Sequence, residues 1–103
     1  MSTGLPGVTT VSGRAVRRIA ARAAREVAGV AGPVSVDAAV SGDRTALDIR
    51  LPILYPEPVG RVTDACRAHL QRRTAELTGL AVSRIDIVVT ELAAAAARAG
   101  RVR

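Results

Sequence analysis

Between Val8 and Leu92 the apolar positions change period in an ordered way, and each change marks an element. Val8-Thr9-Thr10-Val11 is a short strand-like run, and Ser12 follows where a helix N-cap belongs. From Gly13 onward Ala15, Val16, Ile19, Ala20, Ala23, Ala24 and Val27 keep the i, i+3, i+4 rhythm of one buried helical face, which Gly29 and Gly32-Pro33 bring to an end. The rhythm then shortens to two. Val34 to Val40 and Ala46 to Leu54 alternate apolar with polar residues on either side of Ser41-Gly42-Asp43-Arg44, a hairpin turn by composition. Val34, Val36, Ala38 and Val40 share a face with Leu47, Ile49, Leu51 and Ile53, while Pro52 cannot donate to a ladder and predicts an edge or a bulge.

Tyr55-Pro56-Glu57-Pro58 breaks the strand and opens a second helix, with Pro58 suited to the first turn and Glu57 to the positive end of the dipole. Its apolar stripe is Val59, Val62, Cys66, Leu70 and Leu77, and Gly79 closes it. A last alternating run, Val82 to Leu92, turns Ile85, Ile87 and Val89 toward the core. The pattern predicts a single α+β domain with element order β-α-β-β-α-β, two layers deep, its two helices packed on one face of a largely antiparallel sheet. The domain is expected over residues 8–92, after a flexible leader (1–7) and before an Ala/Arg-rich tail (93–103). The opposite sheet face gathers Asp37, Asp48, Arg50, Arg84, Asp86 and Thr90, a mixed-charge surface suited to cross-strand pairs.

Composition narrows what such a domain can be. Its apolar residues, 49% of 103, are almost all Ala, Val, Leu and Ile, with no Phe or Trp and one Tyr, so the core is thin and aliphatic. Stability of the ordinary order, about 5 to 10 kcal/mol, leaves room for self-association to add to it. No stretch approaches the roughly 20 apolar residues that span a bilayer, Met1 to Gly7 lacks the apolar region of a secretory signal, and the lone Cys66 cannot form an intramolecular disulfide. A cytoplasmic protein is expected. A net charge of +6 raises anionic partners, yet every basic residue is Arg, which together with abundant Ala, Gly and Val is also the mark of a GC-rich coding bias.

Residues that carry chemistry are few. The sole histidine, His69, lies three positions from Cys66, but nothing completes a triad, and a free thiol on an apolar stripe packs as a small hydrophobe. No catalytic residue is assigned. Cys66 and His69 supply two metal ligands at most, and Asp37, Asp48 and Asp86 share their face with Arg50 and Arg84, so neither a metal nor a cofactor is expected. Gly29-Val30-Ala31-Gly32 matches the bare G-x-x-G that clamps nucleic acid between two helices, but here it joins a helix to a strand and reads as a helix stop. Arg73 falls on the second helix's apolar stripe, where its stem can pack while the guanidinium reaches solvent near the helix end.

The first helix resists so plain a reading. Arg14, Arg18, Arg22 and Arg25 occupy one arc of it, with Arg17 at the border. Like charges at i, i+4 and cations near the helix N-terminus together oppose the helix by about 1 kcal/mol. These five arginines are the candidate partner-binding residues, set either against an anionic partner or, if coding bias alone placed them, against solvent.

Two passages resemble the alkaline-shock-protein family of bacterial envelope stress response proteins. Val11-Ser12, through Ile19-Ala20, to Glu26-Val27-Ala28-Gly29-Val30 is similar to that family's helix and Glu-Val-Pro-Gly-Val element, with Ala28 in place of the proline. Leu77-Thr78-Gly79-Leu80, followed by Val82 and Ile85-Asp86-Ile87-Val88-Val89, is similar to its Met-Thr-Gly-Leu element and final strand. Tyr55-Pro56 departs from the family's tyrosine-glycine. The resemblance covers residues 7–92 and implies a non-enzymatic, cytoplasmic protein of cell-envelope homeostasis that multimerises and is held near the membrane by a membrane-anchored partner. The alternative raised by the charge is a basic nucleic-acid-binding module, although the chain lacks aromatic platforms for stacking bases.

Overall fold

Ser12 starts the first helix. In the computed structural model, which describes residues 11–94, its extended backbone and its hydroxyl, accepting the Ala15 N–H at 3.1 Å, cap α1 (Gly13–Arg25). Val16, Ala20, Ala23 and Ala24 are the buried face of that helix, while Ile19 and Val27 stay partly exposed. The helix stops at Arg25, short of Gly29, and the chain turns through Val27 before Gly29 takes φ +97°. Only glycine fits there. A Cβ on Gly29 would lie 2.7 Å from Val62 Cγ2, so the residue answers both for the turn and for the approach of the second helix.

β1 (Ser35–Ser41) and β2 (Arg44–Tyr55) form the expected hairpin, with Ser41 opposite Arg44 and Gly42 at φ +60° in the two-residue turn. α2 (Val59–Thr78) then crosses back over the sheet, and Gly79 ends it in the left-handed conformation at φ +77°. β3 (Ala81–Ala94) lies on the far side of β2, two residues longer at its end than the alternation predicts. The strand-like run at Val8–Val11 falls almost wholly outside the described residues, as do the leader and most of the tail.

The two-layer α+β arrangement with both helices on one sheet face is present, and the sheet is mixed. Its order is β1-β2-β3, β1 antiparallel to β2 and β3 parallel to it. A strand that follows a crossover helix returns in the same direction, so the largely antiparallel sheet expected from the alternation holds for the hairpin and not for β3. β2 is the centre. Leu47, Ile49, Leu51 and Ile53 point from it into the core and are at most 1% exposed, flanked in register by Val36 and Ala38 of β1 and by Ile85, Ile87 and Val89 of β3.

Pro52 lies in this central strand and is tolerated for the reason that its missing N–H suggested. β1 pairing ends at Arg50, and Thr90 and Glu91 of β3 bulge opposite Pro52 between the pairs Leu51–Val89 and Ile53–Leu92. Beyond β1 the turn after α1 takes over the same edge of β2. Ala31 donates to the Pro52 carbonyl at 3.0 Å, and Leu54 donates to the Gly29 carbonyl at 2.7 Å.

The α2 stripe differs from the sequence expectation at its ends. Val62, Cys66, Leu70 and Thr74 are buried, whereas Val59 and Leu77 are 38% and 53% exposed. Both lie on the stripe by angle but in the terminal turns of a helix of 20 residues, about 30 Å long, which outruns the 13-residue α1 of about 20 Å. The hydroxyls of buried Thr74 and Thr45 have no hydrogen-bond partner among the described residues.

Candidate docking surfaces

The outer face of α1 keeps the arc that its spacing predicts. Arg14, Arg18, Arg22 and Arg25 are exposed, and none of them forms an ion pair among the described residues. Arg18, Arg22 and Arg25 rim a shallow depression of about 410 Å³ floored by Ile19 and Ala21. Arg17 is separate: it is exposed, but its guanidinium folds back toward the start of the helix, 3.7 Å from where a Gly13 Cβ would stand. Four of the five candidates therefore lie on one surface.

At the C-terminal end of α1 a clasp joins the two helices. Glu26 Oε1 is 2.7 Å from His69 Nε2, and Arg72 Nη2 is 3.1 Å from His69 Nδ1. A guanidinium only donates, so Nδ1 must accept, and Nε2–H is left to donate to the carboxylate. The hydrogen bond from His69, with the charges of Arg73 and Arg22 behind it, holds the Glu26 carboxyl below its ordinary value against a smaller opposing effect of burial. This use of His69 escaped the sequence reading because its partner lies 43 residues away. Cys66, beside it in sequence, is fully buried, and burial pushes its thiol up to about 11, leaving essentially no thiolate near neutrality. Arg73 pairs with Glu76 at 3.0 Å, its side chain 35% exposed, as a packed stem with a solvated head would be.

The opposite face of the sheet is covered by no helix among the described residues. Asp37, Asp48 and Asp86 stand in one row across all three strands, flanked by the row Ser35, Arg50 and Val88. Arg84 pairs with Asp48 at 3.4 Å and with Asp86, whereas Asp37 has no ion-pair partner among the described residues. Like charges directly opposite on neighbouring strands repel, so the row is held against a local cost. It borders a depression of about 280 Å³ that also takes in Ser35, Arg50 and the half-exposed Val88. Among the described residues no group of three or more His, Cys, Asp or Glu is placed to hold a metal ion.

The G-x-x-G of Gly29 to Gly32 is taken up within the fold. Its backbone is bonded to β2, and a Cβ on Gly32 would meet Pro52 at 3.4 Å.

No family model and no curated protein matches the sequence. Among solved structures the chain is similar to MamM CTD structures: a double mutant at TM-score 0.63 and 16% identity, covering 77% of this chain and 86% of that one. A nickel form gives 0.58 at 19% identity over 78% and 99% of the two chains, and a zinc form gives 0.58 at 18% over 78% and 86%. At such identities the likeness is one of fold. It matches the two-layer arrangement of two helices on a three-stranded mixed sheet.

Proposed function

We propose that this protein is a non-enzymatic, self-assembling scaffold of the cell envelope that docks on a membrane-anchored protein partner. The observation that carries the reading is the α1 face, where Arg14, Arg18, Arg22 and Arg25 are exposed together and none forms an ion pair among the described residues. Such a row is costly to the helix and useful to an anionic partner. The envelope role rests on the resemblance of residues 11–30 and 77–89 to the alkaline-shock-protein family. Those passages form the two glycine hand-offs at Gly29 and Gly79. Among the described residues no helix is long and apolar enough to cross a membrane, and the membrane-anchored partner is what the same resemblance implies. The nickel and zinc forms of MamM CTD raise a metal-responsive reading, but the described residues assemble no ligand set for one.

Affinity purification from the protein's own cells, with the wild type and with Arg18→Asp/Arg22→Asp, tests the proposal. A recurrent membrane-anchored protein that is recovered with the wild type and lost with the variant supports it. Recovery of nucleic acid, with affinity that falls steeply as salt rises, would instead support the basic nucleic-acid-binding alternative. Unchanged recovery and unchanged membrane fractionation of the variant would remove the arginine face from the function.

A further inference from the structure

The two layers leave a basic outer surface and a mixed-charge one on opposite sides of one small domain. The helix side presents Arg14, Arg18, Arg22 and Arg25, and the sheet side presents the row Asp37, Asp48 and Asp86 with Arg50 and Arg84 beside it. Each row opposes the local structure that carries it, the arginines through like charges one turn apart and the aspartates through like charges on adjacent strands. The sheet face has a second peculiarity. β2 and β3 are parallel, and parallel pairs ordinarily have both faces covered, yet here the helices occupy only one.

The spacings of the two rows also agree. Successive arginines at Arg14, Arg18 and Arg22 rise about 6 Å along the helix and so span about 12 Å. Aspartates on three adjacent strands are about 4.8 Å apart and span about 10 Å. A helix laid across the strands therefore brings two or three guanidiniums over the carboxylates, where Asp37 has no ion-pair partner and Asp48 and Asp86 keep acceptor positions beyond those Arg84 uses. The depression beside the row, which Ser35, Arg50 and Val88 line together with the three aspartates, gives an arginine head room to enter.

Symmetry decides between arrangements. A two-fold contact through the helix face would bring arginine against arginine, whereas a head-to-tail contact lays the arginine row on the aspartate row. We propose that the α1 arginine face of one copy docks across the Asp37–Asp48–Asp86 row of a second copy. The contact is heterologous, so a bound pair still offers one free arginine row and one free aspartate row, and association continues into a ring or an open chain. This interface rests on the self-assembly part of the proposed function and names the surfaces that perform it.

Sedimentation velocity of the full chain over a range of concentration and salt is the test. The wild type should form larger species as concentration rises and lose them as salt is raised from about 0.05 M to about 0.5 M, where screening shortens several-fold. Arg18→Asp/Arg22→Asp and Asp37→Arg/Asp48→Arg should each weaken self-association by at least roughly 100-fold, because each sets like charge on like. An equimolar mixture of the two variants should assemble again, since the reversed helix meets the reversed sheet and the native helix meets the native sheet. That rescue also shows that both variants are folded. Wild type that assembles indifferently to both reversals, or variants that are folded by circular dichroism but do not rescue each other, would overturn this interface while leaving self-assembly in place. Wild type that stays monomeric throughout would overturn the interface and the self-assembling reading together.

Discussion

Gly29 answers to two constraints at once, one on its own backbone and one on its neighbour's side chain. With φ at +97° and a Val62 methyl 2.7 Å from any Cβ, Gly29→Ala should lower stability by about 1 to 3 kcal/mol, read as a lower urea midpoint at unchanged slope. Thr74 points the other way. Its buried hydroxyl has no partner among the described residues, so Thr74→Val should raise stability by about 1 kcal/mol in the same measurement. The Glu26–His69 clasp makes a pH-dependent contribution whose sign follows from the depressed carboxyl. That contribution is present above the ordinary value of 4.5 and is lost as pH falls through the lower folded-state value. Urea midpoints of the wild type and Glu26→Gln should therefore differ near neutral pH and converge in acid.

Among the elements, α1 is stable in spite of its charge. Arg14, in the first turn, meets the positive end of the helix dipole and the like charge of Arg18. Arg14→Glu should relieve both and raise the thermal midpoint, by an amount equivalent to about 0.5 to 1 kcal/mol, while weakening partner docking in the same preparation. What could be read in the chain beforehand was local. The Ser12 cap, the Gly42 turn, the Gly79 stop and the alternation of Leu47 to Ile53 each depend on residues a few positions apart, and each is where the pattern puts it. The arginine arc was legible for the same reason, since helical angle follows from spacing alone. The parallel pairing of β3 was not, because register across a crossover depends on how α2 lies on the sheet. The exposure of Leu77 was hidden too, since the period of a helix does not reveal where its neighbours end. The clasp of Glu26 with His69 joins separate helices and leaves no periodic trace.

For the molecule as a whole, a thin aliphatic core lies between an arginine row on one side and, on the other, an aspartate row with Arg50 and Arg84 beside it. If neighbouring copies cover the bare sheet face, association is linked to folding, and anything that binds only the folded chain raises its apparent stability. The melting midpoint should then climb with protein concentration at low salt and become independent of it at high salt, which calorimetry would show.

The β2-α2-β3 crossover bears on how the molecule comes into being as well. Hairpin contacts between β1 and β2 close over a short loop, but the partner of Leu47 on the other side is Ile85, and the chain between them must be ordered first. Contacts so distant in sequence are slow to form. On the ribosome, β3 emerges after everything it packs against. Until it arrives, the inward row of β2 lacks one flank, and the nascent chain displays a sticky strand edge whose natural complement is still being made.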